Sequence, residues 1–98
     1  MAEQLTIATA IAHRRFEVAG KAGEAVQIFI GKPTQYHQDE WRCAYRIVGA
    51  GRDLNFEIAA IDSIQALQLV WSAIDSAIIG ADLSLLWDGD KNLGLVLK

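Results

Sequence analysis

The side chains best placed by type and spacing to do chemistry are the arginines, and all five precede residue 53. His13, Arg14 and Arg15 are consecutive, while Arg42 and Arg46 stand four apart in a segment that alternates polar and apolar residues. If the two segments lie side by side, His13, Arg14, Arg15, Arg42 and Arg46 form a basic stripe suited to an anionic small ligand or an acidic partner. The competing expectation is cross-strand pairing with Glu17, Glu40 and Glu57, which consumes the same charges structurally. A net charge of −3 and a pI near 5.2 argue against a nucleic-acid surface. The charge is also uneven: seven basic residues oppose five acidic ones from Met1 to Arg52, and two oppose seven from Asp53 to Lys98.

Other familiar chemistries fail on spacing. Cys43 could join His13 or His37 as a nucleophilic pair, but it alternates with Trp41 and Tyr45 and reads as a small buried hydrophobe. His37, Asp39 and Glu40, with Cys43 nearby, lack the paired Cys or His spacings of a structural zinc site, so no metal is expected. Asp88, Asp90 and Asn92 copy the start of a calcium loop, yet the sixth position is Leu93 and the twelfth lies past Lys98. Gly31-Lys32 has Val26 and Pro33 where a phosphate loop needs glycine and a hydroxyl, and Gly49-x-Gly51 has Leu54 in place of a third dinucleotide-binding glycine. No cofactor is expected, and the balance is against an enzyme.

The elements that must position these residues are short and alternating. From Leu5 to Val18 the apolar parity shifts between Ile7/Ile11 and Phe16/Val18, which predicts a β-bulge or break at His13 to Arg15. Val26, Ile28 and Ile30 mark a second strand ended by Gly31-Lys32-Pro33, and Thr34 to Asp39 reads as a polar connection. Trp41, Cys43, Tyr45 and Ile47 mark a third strand, and Leu54, Phe56, Ile58 and Ala60 a fourth after the Gly49-Ala50-Gly51 turn. Gln27, Phe29, Arg42, Arg46, Asn55 and Glu57, joined by Arg15 and Glu17, then face outward as a solvated surface. All three tryptophans fall on core parity and are expected to pack.

A helix should run from an Asp62 N-cap, with Gln65 placed to reach back, to a Gly80 C-cap. Its core face is Ile64, Leu67, Trp71, Ile74 and Ile78. Adding Ala66, Leu69, Val70, Ala73 and Ala77 widens the apolar arc to roughly 220°. That excess predicts a second contact, from the C-terminal segment or another subunit. Leu83, Leu85 and Trp87, the turn Asp88 to Asn92, and Leu93, Leu95 and Leu97 read as a closing hairpin. The expected class is α+β: an antiparallel sheet in the order β-β-β-β-α-β-β, with one long helix on one face.

Ninety-eight residues, 52% hydrophobic and 21% charged, fit one folded domain, 1–98. The single cysteine and the lack of a basic N-terminal leader suggest a cytoplasmic setting, and no apolar run is long enough to span a membrane. The expected function is a small non-enzymatic interaction module, self-associating or binding another protein through Leu69, Leu93, Leu95 and Leu97. The alternative is an anion- or ligand-binding domain using the arginine-bearing face.

The segment Asp62 to Leu69 (DSIQALQL) can be taken with Ile11-Ala12, Arg15-Phe16, Lys32-Pro33, Trp41-x-Cys43-x-Tyr45-x-Ile47, Trp87 and Leu93-Gly94. On these residues the chain resembles a family of small bacterial proteins classed as a domain of unknown function. The family's aromatic-proline ending is replaced here by Gly94-Leu95-Val96-Leu97-Lys98. The resemblance implies a bacterial cytoplasmic protein and assigns no activity or functional residue.

Overall fold

The alternating segments become antiparallel strands. The computed structural model describes residues 5–95, with strands β1 (Ala12–Val18), β2 (Ala25–Ile30), β3 (Thr34–His37), β4 (Glu40–Gly49) and β5 (Arg52–Ala60), helix α1 (Ser63–Gly80) and strand β6 (Leu85–Leu86). The fold is α+β, one antiparallel six-stranded sheet with one helix. Five strands precede the helix and one follows it, because Thr34 to His37 pairs with β4 instead of forming an irregular connection. Its side chains are all exposed, so no apolar alternation announces it.

Register explains how six strands make a sheet only five deep. Ile30 of β2 pairs with Tyr45 of β4, the Gly31 N–H donates to the Ala44 carbonyl, and Thr34 of β3 pairs with Arg42. Three residues on one side therefore oppose two on the other, an extra residue of the kind that bends a strand. Pro33, which cannot donate to the ladder, sits within that interruption. β2 and β3 thus lie end to end along one edge of β4, while β5 runs along the other edge in unbroken register from Trp41–Ala60 to Gly49–Arg52. β1 pairs with β2, and β6 adds two residues beyond β1.

The bulge expected at His13 to Arg15 is not there. β1 pairs with β2 continuously from Ala12–Ile30 to Glu17–Ala25. The apparent change of parity arises because Ile7 and Ile11 precede the strand: Thr6 to Thr9 is a turn, and both isoleucines are exposed. Counting from Ala12 puts Arg14 on the inward face with Phe16 and Val18.

Helix α1 lies on β4 and β5. Asp62 is the N-cap, its Oδ1 accepting from the Gln65 N–H at 2.7 Å, and Gln65 Oε1 accepts from the Ile61 N–H at 2.9 Å. The fully buried stripe is Ala66, Val70, Ile74 and Ile78, flanked by half-buried Leu67, Trp71, Ala73 and Ala77. Ile64, expected in the core, is 68% exposed, because the helix docks on the middle of its wide apolar arc and Ile64 lies at the rim. The helix also ends later than expected. Ala81 is the C-cap, Asp82 takes the left-handed position at φ 57°, and the Leu83 N–H donates to the Ile78 carbonyl, a Schellman arrangement that turns Leu83 toward the core.

The tail closes only part of its expected hairpin. Trp87 and Asp90 bridge across Asp88-Gly89, both at positive φ, a type I′ turn. Leu93 and Leu95 form no strand; Leu95 is buried in the main core and Leu93 packs against it, whereas Leu97 lies outside the described residues. The helix's second apolar contact is thus supplied by the C-terminal segment. Trp87, expected in the core, is 38% exposed. Among the described residues no helix is long and apolar enough to cross a membrane.

Candidate functional site

The five basic residues of interest divide between two faces. His13 and Arg15 alternate outward from β1, and Arg42 and Arg46 outward from β4; Arg14 points the other way. On the outer face Arg46 is held by a two-pronged pair to Asp53, Nε to Oδ1 at 2.9 Å and Nη2 to Oδ2 at 3.0 Å, while its Nη1 donates to the Leu5 carbonyl at 2.8 Å. Arg42 pairs with Glu40 at 2.6 Å and Glu57 at 3.5 Å and lies 4.4 Å over the Tyr36 ring. Hydrogen bonding to Glu40 and to Asp53 raises the pKa of Arg42 and Arg46 respectively. Pairing therefore consumes both β4 arginines, Arg46 across to Asp53 of β5, and Arg42 with Glu40 of its own strand as well as across to Glu57. The partner of Arg46 is Asp53, a residue the sequence reading did not select, although it stands beside the turn that pairs β4 with β5. Exposed Arg15 makes no ion pair among the described residues, and His13 contacts the Phe29 ring at 6.2 Å.

The chemistry of Cys43 is set by burial. It is fully enclosed, its Sγ–H donates to the Gly31 carbonyl at 3.4 Å, and burial pushes the thiol up to about 11. A nucleophilic cysteine needs the opposite shift. No three His, Cys, Asp or Glu side chains converge as a metal site among the described residues.

Two other places are more distinctive. The first is a cavity of about 390 Å³ between the inward faces of β1 and β2, the Trp71 flank of α1 and the tail, lined by Ala12, Ile28, Ile30, Trp71 and Leu95 with Arg14 among them. Arg14 lies 3.8 Å over the Trp87 ring and its Nη1 donates to the Leu93 carbonyl at 3.1 Å. Gly94, at φ 68°, approaches so closely that a Cβ there would stand 2.5 Å from Trp87, which excludes other residues. The second is the outer edge of β5, which pairs with no second strand among the described residues. Six of its nine residues are exposed, Phe56 is 49% exposed against Tyr45, and a shallow groove of about 530 Å³ runs beside it along Ala73, Ser76, Ala77 and Gly80. Leu69, which precedes Ala73 by four and Ser76 by seven, continues that flank and is 43% exposed.

Among the residues that carried the resemblance, Trp87 and Leu93-Gly94 meet around Arg14, Trp41 to Ile47 forms β4, and Asp62 to Leu69 opens the helix. No curated protein and no solved structure matches the chain. The family model of the domain of unknown function DUF6968 matches residues 12–97, spanning the sheet, the helix and the tail together, and the chain belongs to that family.

Proposed function

We propose that the protein is a non-enzymatic interaction module that self-associates through the outer edge of β5, working in a reducing bacterial cytoplasm. The supporting observation is the edge itself. Natural sheets blunt an exposed edge with proline, lysine, a bulge or inward-pointing charge. β5 has no proline, lysine or bulge over nine residues; Asp53 and Glu57 face outward, Arg52 takes the inward parity only at the exposed turn end, and the remaining inward positions are Leu54, Phe56, Ile58 and Ala60. On the opposite side β6 pairs with the end of β1, and the tail meets Arg14 farther along, so that edge is partly covered.

Its charges also suit a second copy. Like charges facing one another across a new strand pair destabilise it, but Asp53 and Glu57 are already paired with Arg46 and Arg42 of the neighbouring strand. An antiparallel pairing about a twofold axis at Phe56 sets Phe56 against Phe56 of the partner subunit and Leu54 against Ile58 of the partner subunit. The small residues of the helix flank allow close approach, with Leu69 at the rim. A strip about 30 Å long and about 20 Å wide removes roughly 1,200 Å² of surface in total, within the range of a specific dimer. Leu93 and Leu95 take no part in this reading, since the core uses them.

The test is solution mass by light scattering for the wild type, Phe56→Lys and Ala59→Lys, with circular dichroism as the control for folding. A wild-type dimer and folded monomeric variants support the reading. A wild-type monomer throughout the micromolar range, or a dimer that both lysines leave intact, overturns it.

A further inference from the structure

We propose that the cavity beside Arg14 binds a small monocarboxylate with an apolar body. Among the inward-facing positions of β1, β2, β4 and β5, Arg14 and Arg52 carry a charge; Arg52 stands exposed at the turn end of β5, and Arg14 is the half-buried one. A cation turned toward an apolar interior is costly unless an anion or a full set of acceptors meets it. Here a single carbonyl and a tryptophan face do so, with no carboxylate pair among the described residues. A guanidinium offers five donors in a planar fork matched to a carboxylate, and one of them is used.

The walls specify the rest of the ligand. Ala12, Ile28, Ile30, Trp71 and Leu95 offer apolar surface, and the volume of about 390 Å³ falls in the range of small-molecule pockets. Inorganic phosphate would leave those walls unused, whereas an aliphatic or aryl carboxylic acid satisfies both parts. Trp87 stacks on the guanidinium and the Leu93 carbonyl accepts from it, with Gly94, itself in the cavity wall, leaving room beside them, which fixes the guanidinium before a ligand arrives and limits the ordering cost of binding.

The site is separate from the β5 edge, so the two readings fail independently. Thermal unfolding and tryptophan fluorescence are followed with millimolar octanoate, phenylacetate, octanol and inorganic phosphate, on the wild type, Arg14→Gln and Ala12→Leu. The expected result is a rise in Tm with octanoate or phenylacetate and none with octanol or phosphate. Arg14→Gln should weaken carboxylate binding about tenfold or more, the worth of a charge-assisted hydrogen bond. Ala12→Leu keeps the charge, fills the cavity and should also lose the response, which covers the case in which Arg14→Gln unfolds. An equal response to octanol, a response to phosphate alone, no response to either acid, or full binding by Ala12→Leu overturns the proposal.

Discussion

Cys43 makes the effect of burial on a single residue measurable. Its folded pKa of about 11 stands above the value near 9 of an exposed thiol. Between those two pH values the unfolded chain has lost the proton and the folded chain still holds it, so unfolding is favoured as pH rises. The stabilisation is complete below pH 9 and is lost on the way to pH 11, a change of about 2 kcal/mol. Denaturant titrations of the wild type and Cys43→Ala across that range should converge by this amount, and parallel curves would contradict the buried thiol. The sequence disclosed this residue fully, because Trp41, Cys43, Tyr45 and Ile47 share one parity. It disclosed Arg14 poorly. Which face Arg14 occupies depends on where β1 begins, and the exposed Ile7 and Ile11 imitate a strand that has not yet started.

At the scale of elements, the turns follow rules that the sequence obeys unevenly. Gly49 pairs with Arg52, so the β4–β5 loop is the two residues Ala50 and Gly51, with φ of 52° and 78°, a type I′ turn. The tail turn has Asp88-Gly89, a favoured pair for this geometry, whereas Ala50 holds a left-handed conformation without a side chain that suits it. Ala50→Asn should therefore stabilise the protein by about 0.5–1 kcal/mol and raise Tm by several degrees. An unchanged or lowered denaturation midpoint would show that Ala50 is unstrained. The same contrast explains what could be read in advance. Strands with one buried parity and the Asp62 cap were legible. The late helix end was not, because Asp82 occupies the position that glycine usually marks and Gly80 lies inside the helix. β3 is held by the neighbouring end of β4 and by no hydrophobic pattern of its own.

For the whole molecule, the inner layer is α1 with the tail, and the outer face is less open than alternation implies. Phe29 points outward yet is 6% exposed. Its cross-strand neighbours are His13 and Arg46, and Arg46 donates to the Leu5 carbonyl, while Leu5 also lies over Gly31. The segment from Leu5 to Ile11 thus crosses this face as a cover, and it lies before the stretch matched by the family, 12–97. A cover of this kind is separable from the core: β1 begins at Ala12, and neither the helix stripe nor Leu95 depends on it. Removing residues 1–9 should leave a folded protein with α1 and the sheet intact by circular dichroism. It should cost about 2 kcal/mol, since burial of a phenylalanine is worth roughly 1.5–3 kcal/mol. Urea denaturation measures the loss, and increased binding of a hydrophobic dye reports the uncovered Phe29. Full-length stability with no added dye binding would mean that His13 and Arg46 alone shield the ring, and the outer face would then be the open polar surface that alternation suggests.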